Sequence, residues 1–337
     1  MKALQLTAPR EVELVEIPVP EPCADQVLIR TGAATICTSD LIDIRSNPFG
    51  IPLPVIIGHE AAGTIVGVGT AVAGLQEGDR VAAHPVHPCG RCQACRDGTA
   101  HLCLEMGHFG INMQGVFAAY FVARADRVRA IPPEVDFTAA ALAEPVCVCL
   151  EALAQAHAVP GKSLLIIGDG PFGLIMARLA AQRGLTQTVI AGRHDFRLSF
   201  AGPVRQVNTA SLGSDQQDAL RQLGGAAGYD AVILTVGNAS AVGEALRLLK
   251  PRGRLVLFAP ITGLTPIDLA PVTLKELAIV GACNDADLLD EAVALLRAGE
   301  LRLEQLVTHR LPLTAYQEAL ALAEGGRDTA VKVAFVF

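Results

Sequence analysis

Four cysteines crowd one short stretch, Cys89, Cys92, Cys95 and Cys103, in the pattern C-x2-C-x2-C-x7-C. Four thiolates at such spacing wrap one tetrahedral zinc ion, and structural zinc sites are typically closed, all-cysteine cages. Gly90 and Gly98 supply turns between the ligands, and Arg91 and Arg96 stand where positive charge favours thiolates. The alternatives are four unrelated buried thiols, against which the turns argue, and, more weakly, an iron–sulfur cluster. A closed four-thiolate zinc performs no chemistry itself, so this lobe matters as a marker of what surrounds it.

A second constellation binds phosphate. Leu164–Ile167 is an apolar strand, followed at once by Gly168-Asp169-Gly170-Pro171-Phe172-Gly173 opening a helix. In this strand–turn–helix context the G-x-G-x-x-G pattern is a dinucleotide fingerprint. The first glycine permits the turn, the second lets the pyrophosphate approach, and the third packs helix on strand. Free N–H groups and a partial positive charge at the helix start face the phosphates. An NAD site usually carries Asp or Glu at the end of the next strand, to hold the ribose 2′-hydroxyl. Here that strand ends in Gly192, and Arg193 follows, with Arg197 close behind. A guanidinium grips a 2′-phosphate in bidentate fashion, so the pattern predicts NADP in preference to NAD. The opposing reading makes Arg193 a solvated charge and gives the ribose to Asp195.

Outside the lobe, Cys37 and His59 are the obvious soft and borderline donors. A catalytic zinc needs about three protein ligands and an open position. Alone, Cys37 reads as a small buried hydrophobe and His59 as a core residue. They stand, however, among Gly58-His59-Glu60-Ala61-Ala62-Gly63, Gly78-Asp79-Arg80-Val81, Phe117-Ala118-Ala119-Tyr120, Glu144-Pro145 and Thr308-His309-Arg310. With the lobe and the glycine loop, this set resembles the zinc-dependent medium-chain alcohol dehydrogenases over nearly the whole chain, especially their polyol (sorbitol-type) branch. The resemblance implies an α/β chain with a GroES-like β-rich catalytic domain around a Rossmann doubly wound parallel sheet. It makes Cys37 and His59 ligands of a catalytic zinc, with Glu60 a third or exchangeable ligand and Glu144 the polyol branch's carboxylate near the metal. Asp40 then accepts a hydrogen bond from His59, and Ser39 takes the substrate proton. Val236 and Gly237 join the cofactor contacts. Two zinc ions per chain are implied, one catalytic and one structural.

Two departures stand out. Many relatives carry histidine five residues after the cysteine, where this chain has Ile42, so the proton must leave through ribose hydroxyls, water, Asp43 or Glu144. Ala119 replaces a glutamate common in the family. The other histidines, His84, His87, His101 and His108, read as surface or turn residues. Cys23, Cys147, Cys149 and Cys283 read as packing residues.

These groups need elements to position them. At 337 residues the chain suits two domains. The first half reads as short strands between Pro and Gly, among them Glu11–Ile17, Gln26–Thr35, Gly63–Gly69, Asp79–Ala83 and Phe117–Arg124. Alternating strands and helices begin at Ser163, which predicts a parallel sheet. The expected division is 1–145 plus 286–337 for the catalytic domain and 146–285 for the Rossmann domain. Half the residues are apolar and the net charge is −7, which speaks against a nucleic-acid surface. No apolar stretch reads as long enough for a membrane helix, and nine cysteines with four clustered suit a reducing compartment, the cytoplasm. The sequence thus predicts NADP-preferring oxidation of a secondary alcohol, a polyol or cyclic polyol, by a homodimer or homotetramer. A threonine-type amino-alcohol dehydrogenase is the near rival. A non-catalytic protein that binds nucleotide and zinc is the rival from another class.

Overall fold

The computed structural model describes residues 1–263, 266–285 and 287–337. The chain divides into two compact units, Met1–Cys147 with Ala286–Phe337, and Val148–Asp285. Residue 286, where the chain is expected to return to the first unit, lies outside the described residues.

The first unit is built on a seven-stranded sheet. Its order is Val128–Ala130, Arg80–Ala83, Glu60–Val68, Gln26–Thr35, Lys332–Val336 and Val307–Pro312, with Tyr120–Arg124 also pairing to Gln26–Thr35. In Gln26–Thr35 the alternation of Val27, Ile29 and Thr31 against exposed Arg30 fixes which face turns inward. Two pairings matter for function. Thr35 lies opposite Glu60, and Ala334 lies opposite Thr35 on the other side. The chain's last strand is therefore laid beside the first residue of Glu60–Val68, across one intervening strand. A core of Leu4, Ile29, Ile65, Phe109, Phe117 and Phe335, among others, is buried beneath this sheet.

The second unit carries a six-stranded, wholly parallel sheet in the order Arg205–Asn208, Gln187–Gly192, Ser163–Ile167, Tyr229–Leu234, Leu249–Leu257 and Ala278–Gly281. Leu164, Leu165 and Ile166 run buried without alternation, as strands covered on both faces do. Gly170 caps the helix Pro171–Gln182, and Pro171 occupies a position that needs no N–H.

Several elements escape the sequence reading, three of them instructive. Thr38–Ser46 is a helix whose two buried residues are Asp40 and Asp43, so no apolar periodicity betrays it. Arg205–Asn208 and Val307–Pro312 are strands short enough to pass as loop. The membrane expectation also needs correcting. The helical run Phe137–Gln155 is long and apolar enough to span a bilayer, yet 83% of its most apolar window is buried, as in a core helix.

Candidate metal and cofactor sites

The fold brings Cys37, His59 and Glu60 together, with one ligand atom of each within 4.8 Å of the others, all buried. Cys37 ends an extended segment and caps the helix Thr38–Ser46. Asp40, in that helix's first turn, fixes both sides of the site. Its Oδ2 accepts from the Cys37 N–H at 2.8 Å, and its Oδ1 lies 2.9 Å from His59 Nδ1. A carboxylate only accepts, so Nδ1 donates to Asp40 and Nε2 is the nitrogen left for a metal, which must displace any proton it carries. Burial alone would depress His59, but the Asp40 charge and hydrogen bond, with Cys37, hold its pKa well above the usual value. Gly58 is required for this placement. Its φ is +90°, and a Cβ there would sit 2.3 Å from the Phe117 ring.

Glu60 is fully buried, and its partners are the residues that sequence reasoning missed. Lys332 Nζ lies 2.7 Å from Oε1 and 2.6 Å from Oε2, and Thr35 donates its hydroxyl to Oε2. Lys332 is itself 2% exposed, and although burial opposes its charge, Glu60 raises its pKa. The only signal in the sequence is a lysine set inside the apolar run Ala330–Phe337. Glu144 is buried and helps to raise Lys332, but stands outside the 4.8 Å set. Ser39 is half-buried and Ile42 is 37% exposed. Asp43 is buried with Oδ1 lacking a partner among the described residues, and burial followed by the Asp40 charge pushes it up to about 6.

The second donor set is Cys89, Cys92, Cys95 and Cys103. Sulfur–sulfur separations are 4.0 Å for Cys89 and Cys95, 3.5 Å for Cys92 and Cys95, and 3.7 Å for Cys92 and Cys103. Bonds of 2.3 Å around a tetrahedral zinc put sulfurs about 3.8 Å apart, so the cage fits zinc. The Cys89 and Cys92 N–H groups each point at a sulfur, Cys103 and Cys89 respectively, at 3.3 Å. Backbone N–H donors from Cys95 and Leu104 hold Cys92 down to about 6, which favours the thiolate. Arg91 is tied to Glu105 at 2.6 Å on the lobe's surface.

In the second unit the glycine loop has the shape a pyrophosphate needs. A Cβ on Gly168 would collide with Thr235 Oγ1 at 2.2 Å, and one on Gly173 with the Gly168 carbonyl at 2.1 Å. A Cβ on Gly170 would meet nothing within 4 Å, which leaves the helix N-terminus open to a ligand. Gly192 and exposed Arg193 close the strand Gln187–Gly192, as the spacing predicts. Against expectation, the Asp169 carboxylate folds back onto that strand end, and its Oδ2 accepts from the Arg193 and His194 N–H groups at 2.7 and 2.8 Å.

Several expectations fail on burial. His84, His87 and His108 are not surface residues, with exposures of 0%, 5% and 8%. His84 Nδ1 meets the Arg127 guanidinium at 2.9 Å, while burial and then the charges of Arg124 and Arg127 push His87 down to about 4. His108 lies 5.6 Å from His59, ring to ring, and its Nδ1 donates to the Phe109 carbonyl at 2.7 Å. Cys147 and Cys149 are buried as expected, but Cys23 and Cys283 are exposed.

Comparison with known proteins matches these regions to two family models. Residues 23–133 match the alcohol dehydrogenase GroES-like domain and residues 171–297 the zinc-binding dehydrogenase domain. The chain is 31% identical to sorbitol dehydrogenase of Bacillus subtilis, covering 99% of this chain and 96% of that one. It is 33% identical to L-threonine 3-dehydrogenase of Saccharopolyspora erythraea, over 97% of each. An alcohol dehydrogenase from E. coli CFT073 complexed with NADH superposes with a TM-score of 0.93 at 26% identity, covering 100% of this chain and 99% of that one. A zinc-binding dehydrogenase from Sinorhizobium meliloti 1021 bound to NADP does so with a TM-score of 0.92 at 26% identity and the same coverage. The chain belongs to the zinc-dependent medium-chain alcohol dehydrogenases, in their polyol and threonine branch, and is an oxidoreductase.

Proposed function

We propose that this enzyme oxidises a secondary alcohol, a polyol or cyclic polyol, with transfer of hydride to a nicotinamide dinucleotide. The observation that carries the reading is the convergence of Cys37, His59 and Glu60 within 4.8 Å, with the second nitrogen of His59 taken by Asp40. Bound there, zinc would supply Lewis acidity that lowers the pKa of the substrate hydroxyl. Cys37 Sγ and His59 Nε2 would hold the metal. Glu60, engaged by Lys332 and Thr35, would serve as an exchangeable ligand, released from Lys332 when it reaches inward. Ser39 would take the hydroxyl proton while passing its own on through ribose hydroxyls, water, Asp43 or Glu144, and the carbinol carbon would give its hydride to the nicotinamide, leaving a ketone. Glu144, buried at the start of its helix, would assist exchange at the metal. The cysteine cage would hold a second, structural zinc.

Two readings of the cofactor have support. Gly192 and exposed Arg193 favour NADP, whereas the Asp169 carboxylate at the same strand end favours NAD. The threonine-type reading is supported by the relatives of that name. A homodimer or homotetramer is supported by the outermost strand Ala278–Gly281 of the parallel sheet, where Ile279 is 38% exposed, and by Leu274 nearby at 83%. Among the described residues no disulfide joins the nine cysteines, which supports a reducing compartment such as the cytoplasm.

The test is a panel of polyols, cyclic polyols and L-threonine with zinc-loaded protein and both cofactors. Turnover of polyols, lost in Cys37→Ser, is the expected result. Turnover confined to L-threonine would move the substrate assignment to the amino-alcohol class.

A further inference from the structure

We infer that Asp169, inside the glycine loop, is the acid that reads the adenosine ribose of the cofactor, and that it makes NAD the preferred dinucleotide. The inference rests on the dehydrogenase reading above and concerns only the second unit.

At the end of Gln187–Gly192, where a dinucleotide site usually presents a carboxylate, the chain has glycine. That position has no side chain, but the space beside it is filled. An ideal Cβ on Gly192 would lie 2.4 Å from Asp169 Cβ, 2.5 Å from its Oδ2 and 2.6 Å from its Cγ. The carboxylate therefore reaches the strand end from the neighbouring loop, and glycine at 192 is what admits it.

Its placement is fixed. The Gly168 N–H donates to the Ala191 carbonyl at 2.8 Å, tying the loop to the strand end. Asp169 Oδ2 accepts from Arg193 N at 2.7 Å, His194 N at 2.8 Å and His194 Nδ1 at 3.0 Å. The hydrogen bonds of this carboxylate among the described residues all fall on Oδ2, which leaves Oδ1 to accept from a ligand. A carboxylate held by one oxygen, with the other free to accept, suits the adjacent hydroxyls of a ribose. A 2′-phosphate at the same point would set close to two further negative charges against it. Arg193 is exposed and offers some compensation. However, its backbone N–H is already committed to the same carboxylate.

A purely structural role, in which Asp169 only fastens the loop after the strand, predicts something different. Loss of the charge would then weaken NADH and NADPH alike. Calorimetric dissociation constants for both, on zinc-loaded wild type, Asp169→Asn and the double variant Asp169→Gly/Gly192→Asp, which removes the Cβ that a side chain at 192 would strike, separate the two. The wild type should bind NADH at least tenfold tighter than NADPH. Asp169→Asn should lose about tenfold for NADH and gain for NADPH. The double variant, which returns the acid to the strand end, should recover the NADH preference, and it remains informative if Asp169→Asn does not fold. Gly192→Asp alone should bind both poorly, because two side chains would compete for one space. Tighter binding of NADPH by the wild type, or equal weakening of both cofactors in Asp169→Asn, would overturn the assignment. Failure of folded, zinc-loaded wild type to bind either cofactor would instead bring down the dehydrogenase reading, and this inference with it.

Discussion

The cysteine cage and the Cys37, His59 and Glu60 set differ in how the chain assembles them. The cysteine cage comes from one continuous segment, Cys89 to Cys103, folded by its own turns and satisfied by its own N–H groups. The Cys37, His59 and Glu60 set comes from separate elements, and its supporting charges arrive from further still. Asp40 lies in the helix after Cys37, and Lys332 is 272 residues from Glu60 in sequence. On the proposed function the first cluster would be closed to chemistry, because four like donors surround one point, and the second would be the reactive one, its unlike, buried donors held by partners that could release them. Local assembly gives a robust site, and distant assembly gives one whose reactivity other parts of the fold control.

The largest test of this contrast pairs one cysteine from each cluster. Cys37→Ser should lower kcat more than a hundredfold while thermal unfolding stays near wild type. Cys103→Ser should do the reverse, reducing solubility or assembly more than the chemistry of the surviving folded protein. Zinc analysis during dialysis against a chelator should show the first site emptying before the cage. Equal loss from both would erase the distinction.

Lys332→Ala comes next in size. It strands Glu60 as a buried carboxylate, a change that typically costs roughly 3–5 kcal/mol. Denaturant unfolding should register most of that. If the midpoint hardly moves, the pair is not what holds Glu60.

Asp40→Asn should be milder. Partners that orient a ligating histidine are typically worth about 10–100-fold in metal affinity or activity. Zinc competition titrations should show a loss in that range, with the cage unaffected.

The smallest effect concerns an ion pair in the second unit, far in kind from either metal cluster. Asp230 sits 2.5 Å from Lys250 and 3.2 Å from Lys162, and accepts from the Ser163 N–H at 3.0 Å. Burial alone would raise its pKa, but Lys250, the Ser163 N–H and Lys162 bring it down from 3.8 to about 2. The folded carboxylate is thus more acidic than the unfolded one. Its stabilisation, about 1–2 kcal/mol after screening, is present above pH ~4 and disappears as pH falls toward ~2. Asp230→Asn should flatten unfolding free energy against pH within that window. An unchanged profile would mean the lysines are solvated.

The cage, the glycine loop and the parallel sheet were legible because their signals are local: fixed cysteine spacing, a strand–turn–helix junction, unbroken apolar strands. The convergence of Cys37, Asp40, His59 and Glu60 was legible only through the joint pattern with their neighbours, since each alone fits a core role. What the sequence hid was partnership across the sheet. The pairing of Thr35 with Glu60, and of the last strand beside them, puts Lys332 on that carboxylate. A single lysine in an apolar strand carries no mark of its destination. His84, His87 and His108 were misread for the same reason, because residue type does not report burial. The end of Gln187–Gly192 is the clearest case. The sequence alone determined that position 192 has no carboxylate. Only the tertiary structure decided that Asp169 supplies one, because the loop and the strand end meet within 3 Å only once strands Ser163–Ile167 and Gln187–Gly192 have paired.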